Sequence, residues 1–574
     1  MHGRKFLAYA AGFGFAMASQ SAIADSLNEY KHIVVIYQEN HSFDNLYGLW
    51  GQVNGQHVNG LQQADIAHTI QVMQNNTVSY ACLLQKDVNL TSPPLASTCN
   101  DNGVVPPIVS AFTNQPFEID NYIAATDKTC PPPNVFAANG VLKNSAGALA
   151  GGCTRDIVHR FYSEQYQINK GKQNRYVTGS DAAGLVMGYY DTKSLPIYKY
   201  LHSRGAPHYV IADNFFQAAF GGSFLNHQWF VAAASPVFAG AVQDGSANDL
   251  HSIVDTNGMP TSTPLYTPLG TVKDSRLTRK CDGTHLDLAC GDFAVNTIQP
   301  TYQPFQPGTT APNKLPPLTN PNIGDHLSAA GIDWAWYSGG WSNANGNIGG
   351  PGWTNGAGPN CIDPNAMPTA TFPNCPDFLF QFHHQAFNYF LKYAPGTPAR
   401  TAHLRDEAEF IDAAKKGKLK PVSFVKPIGA ENEHPGYASE TDGSDHLVDL
   451  IKAVVNGPDG KNTLIIVTYD EFGGQWDHVP PPPYNSDDEH GWGDDHDGRR
   501  ESRHRAPHDL WGPGTRIPAL LVSKKFENSG VDHASHDTTS ILRTIEERFH
   551  LAPLSPRDAQ VNSLTTGLDI ADSH

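Results

Sequence analysis

Two oxygen-bearing pairs and one serine stand where this sequence could do chemistry. Glu39-Asn40 follow the apolar run His32–Tyr37, and Asp470-Glu471 follow Leu464–Tyr469. Ser223 comes after Gly221-Gly222, downstream of His208–Ala212, and opens a helical-looking stretch. Glu39, Asp470 and Glu471 would repel one another if clustered, unless a cation held them. A hard divalent ion takes such carboxylates, with the Asn40 amide oxygen as a further ligand. A single pair of this kind is often only a helix cap or a solvated turn. Three strand ends aimed at one edge form the arrangement in which open α/β sheets build their sites.

Glycines let a backbone turn sharply and approach a ligand closely. A serine at a helix N-terminus sits among free N–H groups, a ready phosphate cradle. If Ser223 Oγ is itself a metal ligand its pKa falls, and it can attack phosphorus as an alkoxide. Taken by itself, Ser223 reads as a helix-capping serine. His383-His384 lie in FHHQAF and His434 in NEHPG. Protonated imidazoles bind phosphoryl oxygens or pass a proton to a leaving group. Most of the 26 histidines must be incidental. The adjacent pair does not make a metal site by spacing, because neighbours on a helix point apart.

The elements that must position these groups are short, β-branched and nearly continuous in apolarity: His32–Tyr37, His208–Ala212, Ile332–Tyr337, Val422–Val425, Leu464–Tyr469 and Ile517–Val522. Such runs predict strands covered on both faces. Helical patterns alternate with them over Leu195–His202, Pro376–Tyr393, Leu404–Lys416, His446–Val455 and Thr538–Phe549. The alternation predicts an α/β fold, a mostly parallel central sheet with helices on both faces. Segments 49–120, 235–330 and 339–375 are rich in Pro, Gly, Asn and Thr and read as inserted loops and caps. Asn485–Arg505, dense in Asp, Glu, His and Arg, is a candidate second metal site that reads better as a solvated loop.

Residues 1–24 have the layout of a secretory signal peptide: Arg4-Lys5, an apolar stretch Phe6–Ala18, then Ala22-Ile23-Ala24 before Asp25. The mature chain, 25–574, is expected to be one domain outside the cytoplasm with no transmembrane anchor. Eight cysteines without a C-x-x-C pair favour disulfides over zinc or thiol chemistry. They fall into sequence-local couples, suggesting 82–99, 130–153, 281–290 and 361–375. The formal charge of −17 becomes −19 without the signal. A chain this acidic is a poor non-specific nucleic-acid binder. An anionic substrate would need a metal, histidines or backbone N–H groups.

At these residues the chain resembles a bacterial phosphoesterase family that includes acid phosphatases of the Francisella and Burkholderia type and secreted Gram-negative phospholipases C. The segments that carry the resemblance are IVVIYQENHSFDNLYG (33–48), LVMGYYD (185–191), FGGSFLNHQW (220–229), FHHQAF (382–387), NEHPGYAS (432–439) and TYDEFGGQWDHVPPPP (468–483). The resemblance implies an alkaline phosphatase-like fold and Ser223 as nucleophile. It also implies Glu39, Asn40, Ser223, Asp470 and Glu471 as ligands of one divalent metal, whose identity is left open; oxygen ligands suit Mg²⁺, Ca²⁺ or Mn²⁺ better than Zn²⁺. His383, His384 and His434 match its pocket histidines. Ser223 with Asn226-His227 looks like the phosphatase branch, whereas the phospholipase branch tends to carry a Thr followed by Asn-Arg. His41 departs from a common Arg.

Three readings follow. The first is an exported acid phosphatase that forms a phosphoserine, with an acidic optimum if a pocket imidazole must be protonated. The second is a phospholipase C, whose choline-type head group would call for an aromatic cage; Trp334, Trp336, Tyr337 and Trp341 are the candidates, although such a run is more often core. The third is a non-catalytic surface or adhesion protein, against which the full set of metal-type residues speaks. The expected partners are phosphorylated small molecules, phosphoproteins or phospholipid head groups, in the periplasm or outside a Gram-negative cell. Oligomeric state is left open.

Overall fold

Ile33–Tyr37 are all fully buried although successive strand residues point to opposite faces, so both faces of this strand are covered. In the computed structural model, residues 27–73, 78–84, 97–121, 125, 156–180, 182–241, 276–278, 281, 289–306, 309–347, 349–353, 380–435, 438–483 and 508–572 are described. Eight strands form the main sheet: β1 (His32–Gln38), β2 (His208–Ala212), β3 (Trp334–Ser338), β4 (Leu404–Asp406), β5 (Val422–Lys426), β6 (Thr463–Tyr469), β7 (Ala519–Ser523) and β8 (Gly530–Asp532). Their order is β4-β3-β5-β1-β6-β7-β2-β8. Central β1 runs parallel to both neighbours, pairing Ile33 with Val422 and with Leu464. Only β7 runs against the rest, antiparallel to β6 and β2. The carboxyl ends of β1, β2, β5 and β6 therefore open at one edge, as does the segment that enters β7.

Helices Pro196–Leu201 (α2) and Glu407–Lys416 (α5) both pack on Glu440–Val455 (α6), and Ile323–Ala329 (α4) and Thr539–Phe549 (α7) both contact Ser223–Ala232 (α3). Helix α1 (Phe161–Ile168) lies in the long connection between β1 and β2. Among the described residues no helix is long and apolar enough to cross a membrane.

Two expected helices are corrected. Leu404–Asp406 is an edge strand pairing with Trp336–Ser338. The helix starts only at Glu407, because the Asp406 side chain accepts from Ala408 N and closes a capping box with Glu409. The described part of Pro376–Tyr393 forms three short 3₁₀ turns, Phe382–His384, Ala386–Tyr389 and Leu391–Tyr393. Phe380, Phe382, Phe387, Tyr389, Phe390 and Tyr393 are all buried, and no single helix face could bury so many rings. The expected loop 235–330 ends in α4, where Gly324 packs against Trp334. Cys82–Cys99 and Cys281–Cys290 are disulfide-bonded as their spacing suggested. The other four cysteines, the signal segment and Asn485–Arg505 lie outside the described residues.

Candidate active site

Ser223 is the first residue of α3, after Gly222 as N-cap, and is 3% exposed. The turn before it needs its glycines. Gly221 has φ +93°, and a Cβ there would lie 2.7 Å from Phe161 N. A Cβ on Gly222 would lie 2.9 Å from His159 Cδ2. Buried Glu164 of α1 holds this turn, accepting from Gly221 N at 2.5 Å and from Thr515 N at 2.7 Å. Burial pushes the Glu164 carboxyl up to about 8.

Ser223 Oγ lies 3.2 Å from Glu39 Oε2, 3.4 Å from Asn40 Oδ1 and 3.4 Å from Glu471 Oε1. Three strand ends thus meet at one hydroxyl. Asp470 joins them from the side, its Oδ1 accepting from Asn40 N at 3.1 Å and Glu471 N at 2.8 Å. Asn40 adopts φ 56°, a left-handed conformation that asparagine tolerates better than most residues. Glu39, Asp470 and Glu471 are fully buried. Burial first, and Asp470 next, push the Glu39 and Glu471 carboxyls well above their usual range.

The ammonium of Lys426, at the carboxyl end of β5, contacts Glu39 Oε1 and donates to Tyr37 O at 3.0 Å. One ammonium stands against three clustered carboxyl groups, so the cluster is short of positive charge. Asp470 Oδ2, His227 Nε2 and His384 Nε2 are buried without a hydrogen-bond partner. His227 Nε2 and His384 Nε2 lie 3.8 and 3.3 Å from Glu39 Oε1, and their rings stack at 4.8 Å. Spare charge and unpartnered donor atoms together fit a bound divalent cation.

A cleft of about 180 Å³ opens onto Ser223 and is lined by His159, Arg160, Asn296, His383 and His434, among others. His383 and His384 diverge as neighbours should, His383 into the cleft and His384 towards Glu39. His159 Nε2 lies 3.3 Å from Glu471 Oε1. Burial lowers His383 to about 3 and His384 and His434 well below the usual imidazole range. Burial disfavours the charged form of these rings, and a substrate's own negative charge would raise their affinity for protons.

The four candidate cage aromatics are core instead. Trp334, Trp336, Tyr337 and Trp341 are at most 4% exposed, and Trp336 stacks on Phe424. The sequence reading also missed three contributors. Lys426 ends a buried strand, where a lysine needs a partner. His227 stands four residues after Ser223 on one helix face, a spacing that could have flagged it. His159 lies in no motif singled out from the sequence.

A family model described as Phosphoesterase family matches residues 30–552. Among curated proteins, a non-hemolytic phospholipase C of Burkholderia pseudomallei is 31% identical over 29% of this chain and 25% of its own length. Phospholipase C B of Mycobacterium tuberculosis is 31% identical over 28% of this chain and 32% of its own. Non-specific phospholipase C6 of Arabidopsis thaliana is 25% identical over 27% and 31%. The matched segments thus span a third or less of these relatives. Among solved structures, an alkaline phosphatase superfamily protein from Vibrio parahaemolyticus is 14% identical over 43% of this chain and 51% of its own, with TM-score 0.21. A 2-O GAG sulfatase is 12% identical over 67% and 70%, with TM-score 0.28. The sheet order, not these low scores, carries the fold.

Proposed function

The chain belongs to the Phosphoesterase family, and from that premise we propose that it hydrolyses phosphoric esters with Ser223 as the attacking group. The observation that supports this best is the convergence of Glu39, Asn40 and Glu471 oxygens on Ser223 Oγ at a helix N-terminus. Glu39, Asn40, Asp470 and Glu471, with Ser223 Oγ, would hold one divalent ion, Mg²⁺, Ca²⁺ or Mn²⁺ before Zn²⁺. When bound, such an ion supplies positive charge that lowers the serine pKa and offsets charge on phosphoryl oxygens.

Ser223 Oγ attacks phosphorus as the ester oxygen departs, giving a phosphoserine and an alcohol. Glu39 Oε2 and Glu471 Oε1 are placed to take the serine proton. Water then attacks the phosphoserine and returns Ser223 and inorganic phosphate. Free N–H groups of the first turn of α3 face the phosphoryl oxygens. His383 and His434 line the cleft on the substrate side, and a dianionic ester would raise the affinity of His383 for protons. On this reading catalysis favours acidic pH. His384, beside Glu39, completes the imidazole wall.

The preferred substrate is a monoester. The cleft is small and polar, and of the described residues lining it Phe224 alone carries a benzene or indole ring. No described aromatic cage stands ready for a quaternary ammonium. The second reading is phospholipase C activity, which the names of the curated relatives favour. Export behind a signal at 1–24, and one domain over 25–574, complete the proposal.

Rates on p-nitrophenyl phosphate and p-nitrophenylphosphorylcholine separate the two readings: faster hydrolysis of the monoester is expected, and the reverse order overturns the preference. Ser223→Ala should abolish both activities; undiminished hydrolysis by the purified variant removes the nucleophile assignment. Activity that keeps rising from about pH 5 to about pH 9 contradicts the acidic optimum.

A further inference from the structure

Beyond the Ser223 cluster, a second group of ligand-type side chains assembles at the β4 side of the same sheet edge. Glu407 opens α5 immediately after β4, His446 lies in α6, and Glu431 lies in the loop that follows β5. Their ligand atoms all lie within 4.8 Å of one another. His446 Nε2 is 2.7 Å from Glu407 Oε1 and 3.7 Å from Glu431 Oε2. A tetrahedral zinc ion about 2.0–2.1 Å from each ligand sets neighbouring ligand atoms about 3.3 Å apart. The two observed separations bracket that value, so three ligand atoms stand near tetrahedral spacing, with a fourth position left to solvent.

An ion pair alone does not account for the cluster. Glu407 is 5% exposed, yet its Oε2 is buried without a hydrogen-bond partner. We propose that Glu407, Glu431 and His446 form a second divalent transition-metal site, separate from the Ser223 cluster. The imidazole nitrogen with two carboxylates suits Zn²⁺ or Mn²⁺ and is a poor match for Mg²⁺ or Ca²⁺. Glu431 is half-exposed, which gives the ion a route in from solvent.

The site has a consequence for the loop it would pin. Glu431 begins the segment Glu431-Asn432-Glu433-His434. Asn432 O accepts from Glu39 N at 3.0 Å, and His434 Nε2 lies 3.0 Å from Asn40 Nδ2. An ion at Glu431 therefore ties α5 and α6 to the loop that orients Glu39 and Asn40. Its role is structural bracing of the site, not contact with substrate.

The test uses the intact chain, stripped with a chelator and titrated with Zn²⁺ by calorimetry. Glu407→Gln/His446→Gln should bind one zinc equivalent fewer than wild type. Asp470→Asn, which weakens the first cluster, should keep the equivalent that the double variant loses, so failure of the Ser223 reading and failure of this one are distinguishable. Wild-type crystals soaked in Zn²⁺ should show an anomalous peak between His446 Nε2 and Glu407. Absence of that peak, or unchanged zinc stoichiometry in a folded double variant, overturns the site. If the variant does not fold, the anomalous map decides alone.

Discussion

Asn40 Nδ2 lies 3.0 Å from His434 Nε2, and this contact fixes which way the Asn40 amide faces. His434 Nδ1 is 2.8 Å from Pro435 O, so that nitrogen carries the ring proton and Nε2 keeps its lone pair. Nε2 accepts from the Asn40 amide, and Asn40 Oδ1 is left facing Ser223 Oγ. His434 thus orients a ligand-type oxygen besides lining the cleft. His434→Ala should lower metal affinity and kcat/KM by roughly 10–100-fold, the usual penalty for losing a residue that orients a ligand. Chelator competition that finds wild-type affinity in this variant would show that Asn40 holds its orientation without the ring.

Lys426 shares the charge of Glu39 with any bound cation, which gives a second expectation. Lys426→Met leaves three buried carboxylates with no ammonium. Breaking a buried ion pair costs about 3–5 kcal/mol, so the chelated variant should melt well below chelated wild type. The cation should then offset a larger part of the repulsion. Melting curves with EDTA and with added Mn²⁺ should show a bigger metal-induced rise in the variant. Equal rises in both proteins would contradict charge sharing.

Glu39-Asn40 and Asp470-Glu471 were legible in the sequence because each pair follows directly on a strand long and apolar enough to recognise, and Ser223 because two glycines precede it at the start of a helical stretch. The six long strands were legible for the same reason, being covered on both faces. Leu404–Asp406 and Gly530–Asp532 were not, since three residues at a sheet edge carry no usable period. The reversed direction of Ala519–Ser523 leaves no mark in its composition. Lys426 and Glu164 act only through partners far from them in the chain, so nothing local distinguishes them. The aromatic run Trp334–Trp341 misleads in the opposite sense, because its composition suits a cage and a core equally.

The segments 33–48 and 468–483 also meet away from Ser223, around one fully buried guanidinium. Arg516 Nε lies 3.0 Å from Asp477 Oδ1, and Arg516 Nη2 lies 3.0 Å from Asp44 Oδ1. Asp44 Oδ2 also contacts His478 Nδ1 at 2.6 Å, while Arg516 Nη1 donates to Asn59 O and Asp213 O. Asp44, Asp477 and His478 have metal-ligand spacing, but Arg516 already fills their centre. Burial raises Asp44, and His478 and Arg516 outweigh it to hold the carboxyl below its usual range. Arg516→Met should destabilise the fold by about 3–5 kcal/mol, because two buried carboxylates lose their partner. Arg516→Lys should recover little, since an ammonium cannot span both carboxylates as a planar fork does. Urea denaturation measures both, and a loss under about 1 kcal/mol for the methionine variant would sink the assignment.

Glu546 in α7 offers a pH test far from any ligand cluster. Its side chain is buried, and burial, then Asp558 beside it, push the carboxyl up to about 9. The folded chain keeps this proton up to about pH 9, whereas the unfolded chain releases it near the ordinary Glu pKa of about 4.3. The protonated form is the one that folding favours, so its contribution is complete below the unfolded value and is lost as pH rises towards the folded one. Glu546→Gln has no proton to lose. It should melt close to wild type near pH 4 and above wild type at about pH 8, by roughly 1 °C for each kcal/mol recovered in a chain of this length. Melting curves at the two pH values decide, and a variant-minus-wild-type difference that stays constant between them contradicts a titrating, buried Glu546.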